Sequence, residues 1–228
     1  MQLRKVRLVI VLCAFVVAFS MVTHAQVDRF RVALTGDEST INPYTYVTGY
    51  PGWNMLTLQY DTLYQLDTSG VPQPWLVTNK EVSEDGLTVT LDLHDDVTWH
   101  DGEAFTAEDV VFTVNYFKEY NHGRFTRDLR PVESAEAAGD HRVILTLTAL
   151  SPSLELGTLA DVPILPQHVW SDIEDPGAED ASFTIDVNIG TGPYKMVEYQ
   201  PDQFYRFEAN SDYFMGAPAV QELVFIIY

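Results

Sequence analysis

Alternating apolar and polar positions recur along the chain and predict short strands that pair as hairpins. In the clearest case, alternating residues 80–83 and 87–93 lie on either side of an Asp85-Gly86 turn. An Asp-Gly dipeptide between alternating segments is a strong hairpin signal, because glycine tolerates the positive φ that a tight turn needs. The same pattern predicts a first strand and two further hairpins, at residues 29–34, 132–147 and 195–208.

Two segments carry apolar residues at helical spacing instead. Residues 55–66 show this spacing and predict a short helix. The second helix is predicted to begin at Thr106, which can cap the amide of Asp109 while the Asp109 side chain reaches back, as in a capping box. An apolar face follows, at Val110, Val114 and Phe117.

The last residues, 223–228, form a continuous run of β-branched, aromatic and other apolar side chains. Such a run is typical of a fully buried strand. We expect it to lie inside a sheet, and we expect the chain to be the first part of a longer protein whose remaining half completes that sheet. Hairpins with a few helices and no fixed repeat predict an α+β fold with mixed and antiparallel sheets.

The N-terminal segment has the three parts of a secretory signal peptide. Basic residues lie within residues 1–7, an apolar run follows over residues 8–22, and small side chains at Thr23 and Ala25 flank a cleavage site. The apolar run is shorter than the roughly 20 residues that a membrane-spanning helix needs. We therefore predict that residues 1–25 are removed near Ala25 and that the mature protein is soluble in the periplasm or outside the cell.

Composition narrows the partners and the chemistry. The formal net charge is −20 at pH 7. Such a surface repels nucleic acid and anionic membranes, so we expect neither as a partner. The only cysteine, Cys13, belongs to the predicted leader, so the mature chain is expected to have no disulfide and no Cys-ligated metal.

No catalytic constellation stands out in the sequence. It contains no G-x-S-x-G elbow, no H-E-x-x-H helix and no P-loop. The segment Gly190-Thr191-Gly192 runs into Pro193, which favours a tight backbone turn over a phosphate-binding loop. On a continuous strand His94, Asp96 and His100 would share one face, but a solvated strand edge is favoured over a metal site. We predict no catalytic residue, no metal and no cofactor.

Aromatic residues are concentrated in an irregular segment after the first strand. Aromatic faces with a polar tip suit the recognition of extended, chemically varied ligands. Packing beneath a loop is the alternative for each residue taken singly, whereas as a group some of them are expected to reach a pocket. The cluster comprises Tyr44, Tyr46, Tyr50, Trp53 and Tyr60.

Six blocks of the sequence resemble the family 5 extracellular solute-binding proteins, the oligopeptide-, dipeptide- and nickel-binding group. They occur in family order and cover essentially the whole mature chain. Two positions depart from the family pattern: His94 stands where Lys or Arg is usual, and Ala104 where Pro is usual. The blocks are Asn42-Pro43 and residues 83–91, 97–110, 163–166, 190–195 and 210–216.

The resemblance implies a periplasmic-binding-protein-like fold of the class II type, in which two lobes close over a ligand. By this analogy the chain holds the first lobe, and the second lobe is missing. A main subdomain would be discontinuous, over residues 28–47 and 161–228, with a smaller subdomain inserted at residues 48–160. Closure would be recognised by the membrane permease subunits of an ABC importer, which would receive a peptide or another small solute.

Ligand contacts are expected in the segment after the first strand, where free backbone groups can meet a peptide main chain. Others would follow the capped helix or lie at the lobe junction. Two other functions stay open, a secreted hydrolase and a receptor that presents ligand to a membrane sensor kinase, and so does the ligand: peptide, sugar or nickel chelate. The predicted ligand-binding residues are Ser39, Thr40, Ile41, Asn42, Tyr44, Tyr46, Tyr120, Phe125, Gly190 and Thr191.

Overall fold

The structure is a computed structural model that describes residues 27–39, 41–44, 46, 49–177 and 188–228. The predicted signal peptide and the predicted ligand-binding residue Thr40 lie outside these residues. Within the described ranges, no helix is long and apolar enough to cross a membrane. The elements are, in order, β1 (Val27–Leu34), α1 (Tyr50–Thr57), β2 (Tyr64–Leu66), β3 (Pro72–Pro74), β4 (Val77–Val82), β5 (Thr88–Leu93), α2 (Ala107–Glu119), α3 (Phe125–Asp128), β6 (Val132–Ala137), β7 (Arg142–Leu147), a π-helical segment (Glu155–Leu159), α4 (Gln167–Trp170), β8 (Tyr194–Gln200), β9 (Phe204–Ala209) and β10 (Val220–Ile227).

One four-stranded sheet joins the first and last strands of the chain. Its order is β1-β10-β9-β8, with β1 parallel to β10 and the other neighbours antiparallel. The predicted strand at residues 29–34 and the predicted hairpin at 195–208 are both confirmed here. The sheet is therefore mixed, and it is closed by a pairing between segments far apart in the sequence.

Residues 223–228, expected to form a fully buried strand, are only partly buried within this chain. They do belong to an internal strand, β10, which is hydrogen-bonded to β1 on one side and β9 on the other. Phe225 is buried, but most other side chains of β10 are only half-buried, and Tyr228 beyond it is 83% exposed. Hydrogen bonding pairs the backbone of a strand without covering its two faces.

A second four-stranded sheet is antiparallel, in the order β4-β5-β7-β6. It contains the predicted hairpins at residues 80–93 and 132–147, and Gly86 in the first turn has a φ of 71°. Helix α2 packs against β6 and β7. Its N-terminus has the predicted capping box, in which the Thr106 amide donates to Asp109 Oδ2 at 2.9 Å. A large apolar core lies beneath this helix and both sheets, so the fold is α+β, as predicted.

The helix predicted over residues 55–66 is wrong in its bounds. Helix α1 begins earlier, with Pro51 in its first turn, and it ends before Tyr60. After the helix, the Gln59 carbonyl accepts a hydrogen bond from the Gly192 amide at 2.8 Å, and the chain runs on towards β2. Tyr60 is buried, as its apolar position suggests, but contacts with distant segments override the local helical spacing.

Candidate functional site

A cleft of about 520 Å³ opens beside helix α1 and the short β2–β3 hairpin. Its wall is mainly aromatic and apolar, with a few polar side chains, which is the usual make-up of a small-molecule site. We call this space the cleft. It is lined by Trp53, Thr57, Tyr60, Thr62, Gln65, Leu66, Trp75, Arg124, Ala160, Asp161, Pro193 and Tyr213.

Among the described residues that line the cleft, two are charged, and they pair with each other. Arg124 Nε donates to Asp161 Oδ2 at 2.7 Å, and Arg124 Nη2 donates to the other carboxylate oxygen, which makes a bidentate pair. The guanidinium also lies 4.0 Å above the ring of Trp53, a cation–π contact. Because the two charges cancel, this part of the cleft is close to neutral although the chain as a whole is strongly acidic.

A second carboxylate lies behind the cleft wall. Asp61 is only 1% exposed. Its Oδ1 accepts hydrogen bonds from Trp75 Nε1 at 3.0 Å, Tyr213 OH at 3.2 Å and Gln65 Nε2 at 3.3 Å, and its Oδ2 accepts one from Thr191 Oγ1 at 3.1 Å.

No cation balances the Asp61 charge: among the described residues, no lysine, arginine or histidine forms an ion pair with it. Burial raises the pKa of Asp61 to about 6, and the four hydrogen bonds oppose that rise. The group is therefore held by neutral donors alone.

The predicted ligand-binding residue Ser39 lies on an exposed and unusual piece of backbone. Its φ is 58°, a left-handed value that is uncommon outside glycine. Asp37 holds this segment, because its carboxylate accepts the Ser39 amide at 2.8 Å and the hydroxyl of Tyr199 at 2.9 Å. Tyr205 OH also donates to this carboxylate. Burial alone would raise the pKa of Asp37, but these hydrogen bonds and one from the Asp202 amide lower it.

Ile41 and Asn42, also predicted to bind ligand, are buried at 1% and 2% exposure. The Ile41 carbonyl accepts a hydrogen bond from Asn188 Nδ2 at 2.7 Å. The Asn42 side chain accepts the Tyr44 amide at 2.8 Å, which fixes the local turn. In this structure both residues therefore support the segment from within.

The predicted aromatic candidates make contacts in two places, of which one lies next to the cleft. Tyr44 OH donates to the Tyr120 carbonyl at 2.8 Å, which joins two of the candidates away from the cleft lining. Tyr46 packs against Trp53 and Phe125, with ring centroids 5.6 and 6.1 Å apart. Since Trp53 lines the cleft, the pair of Tyr46 and Phe125 supports one side of it, and Phe125 itself is fully buried.

Gly190, a predicted candidate at the lobe junction, allows two backbones to approach closely. A Cβ at this position would lie 1.8 Å from the carbonyl oxygen of Gln59, so only glycine fits. The chain bends at residues 191–193, in agreement with the expected turn. Its neighbour Thr191 is buried, and its hydroxyl reaches Asp61 rather than the surface.

The interpretation of His94, Asp96 and His100 as a solvated strand edge is wrong for His100. Strand β5 ends before His94, so the three do not share a continuous strand. The His100 ring instead contacts residues 190–192, which we call the glycine segment. Its Nε2 donates to the Gly192 carbonyl at 2.9 Å, and its Nδ1 accepts the Gly190 amide at 3.3 Å. Burial lowers the pKa of His100 to about 4. Within the described residues, no group of three or more His, Cys, Asp or Glu side chains is placed to hold a metal.

The family model of the bacterial extracellular solute-binding proteins, family 5 (middle region), matches residues 71–228. The chain belongs to this family. The predicted resemblance is thereby confirmed, and the matching family is one of solute-binding proteins. This family 5 protein is also 31% identical over 196 residues to a putative ABC transporter peptide-binding protein of Brucella ovis. The aligned region covers 86% of this chain and 36% of the relative.

Solved structures of family members have the same fold over part of their length. The oligopeptide-binding protein AppA of Bacillus subtilis, in complex with a nonapeptide, superposes with a TM-score of 0.80 at 27% identity, over 89% of this chain and 40% of AppA. The substrate-binding protein CtaP of Listeria monocytogenes gives 0.74 at 33% identity, over 89% and 41% of the two chains. The family 5 chain therefore spans well under half the length of these relatives.

Sequence reasoning missed most of the cleft. Asp61 and Arg124 were not among the candidates, although each carries a usable signal. Asp61 is an isolated acid within the apolar pattern of residues 55–66, and Arg124 is one of few basic residues in an acidic chain. Burying a charged side chain without hydrogen-bonding or ionic partners costs much free energy, so such partners are expected for both residues. What the sequence could not give is which distant side chains those partners are.

Proposed function

We propose that this protein is an extracytoplasmic receptor that binds peptides or similar small solutes and delivers them to an ABC importer. The observation that carries the proposal is the aromatic cleft, whose two charged lining residues pair with each other, in a chain of family 5 fold. Aromatic walls bind varied side chains without demanding a particular charge. Two relatives, a putative peptide-binding protein and an oligopeptide-binding protein in complex with a nonapeptide, support peptides as the first class to test.

In this proposal the chain supplies one lobe of a two-lobed receptor. The main subdomain would comprise residues 28–47 and 161–228, and the smaller one residues 48–160. Ligand contacts made by both lobes would favour the closed state, and closure would be recognised by the permease subunits in the membrane. Of the predicted contacts, the exposed Ser39 would lie along the edge of the lobe that faces the ligand, and the buried Ile41, Asn42 and Gly190 would support that edge.

The proposed place of action is the periplasm or the cell exterior, after cleavage of the leader near Ala25. The acidic balance of the chain fits a soluble protein that avoids anionic membrane surfaces. The permease would then be recognised through a specific surface rather than through general attraction to lipid.

Ligand binding can be tested by thermal shift and calorimetry on the longest native chain that contains this sequence. The panel would hold tri- to nonapeptides, sugars and a nickel–histidine complex. A true ligand stabilises the folded state by about 2.7 kcal/mol when present at 100 times its Kd. We expect peptides to raise the melting temperature and the other classes to leave it unchanged.

Transport is tested separately, in vesicles that contain the cognate permease, where uptake of the stabilising peptide should require the receptor. Stabilisation by no solute class would contradict the proposal. Steady turnover of a peptide or glycoside would favour a hydrolase instead. Binding without any effect on uptake would favour a receptor that presents ligand to a sensor kinase.

A further inference from the structure

The carboxylate of Asp61 accepts hydrogen bonds from four side chains. Gln65 is close in sequence, whereas Trp75, Thr191 and Tyr213 come from distant segments. Three of the four donors, all but Thr191, also line the cleft. These three converge on the same oxygen, Oδ1, so a single atom behind the cleft fixes three of its lining side chains.

Trp75 and Tyr213 both line the cleft, and we call this pair of rings the aromatic wall. Phe214 packs edge-on against both, with ring centroids 5.9 Å from Trp75 and 5.0 Å from Tyr213. Phe214 fixes the two rings from one direction, and the hydrogen bonds to Asp61 fix their polar tips from another. With both restraints in place, each ring has a single orientation towards the cleft.

A purely structural role does not require a carboxylate at this position. Buried charges can often be replaced by well-packed apolar groups without loss of stability. An apolar side chain, however, could not accept the indole N–H of Trp75 and the hydroxyl of Tyr213. The carboxylate is thus suited to hold polar-tipped aromatic rings in a defined orientation.

We propose that Asp61 is a positioning residue of the cleft, which orients the aromatic wall and thereby sets the affinity for solutes that place a planar side chain against it. Asp61 itself does not touch the solute, because its side chain lies behind the wall. The inference rests on the proposed function, since it takes the cleft as the ligand site. It adds the ligand class: peptides with aromatic side chains should be preferred over aliphatic ones.

The test compares two tripeptides, Ala-Phe-Ala and Ala-Ala-Ala, by calorimetry on the longest native chain that contains this sequence. Asp61→Asn keeps an oxygen whose two lone pairs can accept the donors of the aromatic wall, Trp75 and Tyr213, so its affinity for Ala-Phe-Ala should stay within about threefold of the wild type. Asp61→Leu removes that acceptor and should weaken Ala-Phe-Ala about tenfold, given the usual strength of aromatic contacts, while Ala-Ala-Ala changes less than about threefold.

A matched pair of tyrosine variants guards against a fold that fails without Asp61. Tyr213→Phe removes one hydrogen bond to Asp61 from the aromatic wall and should lower affinity for Ala-Phe-Ala by about threefold or more. Tyr194→Phe removes a comparable bond, to the Val220 carbonyl at 3.1 Å, from a tyrosine that does not line the cleft. Its affinity should equal that of the wild type.

A spectroscopic measurement tests the orientation without any ligand. The indole N–H resonance of Trp75, assigned in ¹⁵N-tryptophan-labelled protein by its loss in Trp75→Phe, should lie downfield because it donates to a carboxylate. It should shift upfield in Asp61→Asn and further in Asp61→Leu. A purely global destabilisation would not move one indole resonance in this graded order.

Each outcome decides for or against the inference. Wild-type affinity for Ala-Phe-Ala in both Asp61→Leu and Tyr213→Phe would overturn it, as would equal losses for the two tripeptides. If the wild type binds neither tripeptide, the proposed peptide-binding function fails for this class. The Trp75 resonance then still decides whether Asp61 orients the wall, and an unchanged resonance in the Asp61 variants would overturn that as well.

Discussion

The guanidinium of Arg124 lies 4.0 Å above the ring of Trp53 while it forms a bidentate ion pair with Asp161, which also lines the cleft. The contact ties the loop before α3 to helix α1. It also keeps the long arginine side chain in place, which lowers the entropy lost when the ion pair forms. The same residue therefore neutralises the cleft and supports one of its aromatic faces.

Arg124→Met should destabilise the protein by about 1–2 kcal/mol, because Asp161 is left partly buried without its bidentate partner. Burial and the nearby Asp161 already raise the pKa of Asp128, so the lost cation leaves two carboxylates in close contact. Urea unfolding at pH 7 measures the effect. Arg127→Met is the control, since Arg127 is largely exposed and its ion pair should contribute less than about 0.5 kcal/mol. Equal losses in the two variants would contradict this reading of the pair.

Asp61 should make the protein more stable in mild acid. Its pKa is about 6 in the folded state against 3.8 for the ordinary carboxyl, so the folded protein binds the proton more tightly. Its favourable contribution is complete below pH 3.8 and is lost as the pH rises through 6, with an upper bound of about 3 kcal/mol.

The measurement for Asp61 is urea unfolding from pH 3.8 to 7 for the wild type and Asp61→Asn, which cannot titrate. The stability of the wild type relative to the variant should decrease with rising pH over this window. A difference that stays constant across the range would show that Asp61 has an ordinary pKa in the folded protein.

His100 should act in the opposite direction. Its pKa is about 4 in the folded state against 6.5 for the free side chain, mainly because burial disfavours the charged ring. Between these pH values the unfolded chain binds more protons than the folded chain. The contribution of His100 to the free energy of unfolding is therefore fully present above pH 6.5 and decreases as the pH falls towards 4, by up to about 3 kcal/mol. Protonation would also remove the acceptor for the Gly190 amide.

His100→Gln separates this effect from that of Asp61, because only the histidine contribution is removed. The stability of the wild type relative to the variant, measured by urea unfolding, should drop as the pH is lowered from 6.5 to 4. A parallel pH dependence of the two proteins would argue that His100 titrates normally.

Gly190→Ala should destabilise the protein by about 1–3 kcal/mol or more, because its new Cβ would overlap the Gln59 carbonyl and push two backbones apart. Gly157→Ala is the matched control: a Cβ there would meet nothing within 4 Å, so stability should change little. Thermal unfolding of both variants gives the comparison. Similar melting temperatures for the two would mean that the close approach at Gly190 relaxes at little cost.

Local patterns predicted local structure well. The hairpins at residues 80–93, 132–147 and 195–208 and the capped helix at Thr106 depend on turn and cap residues that lie within a few positions of one another. The observed helix lies earlier in the sequence than the helix predicted at residues 55–66, because backbone hydrogen bonds to the distant glycine segment hold the chain after the helix in another conformation. Alternation and capping cannot report such a contact.

The candidate site was predicted less well for the same reason. The apolar Ile41 and the polar Asn42 precede Pro43, and both are buried. Nothing in the sequence shows whether such residues contact a ligand or support the segment from inside. The role of Asp61 depends on hydrogen bonds from side chains in distant segments, which the local sequence does not reveal. Sequence reasoning located the neighbourhood of the cleft, through Trp53 and Tyr60, but not its charged groups.

The parallel pairing of β1 with β10 bears on the order in which the protein can fold. Val27 pairs with Val220, so almost the whole described chain must be synthesised before the first strand can find its partner. The antiparallel hairpins need only short loops to close, and they can form much earlier. Until β10 arrives, β1 is an unpaired strand that is open to wrong partners, and the last step of folding is the one that protects the first strand.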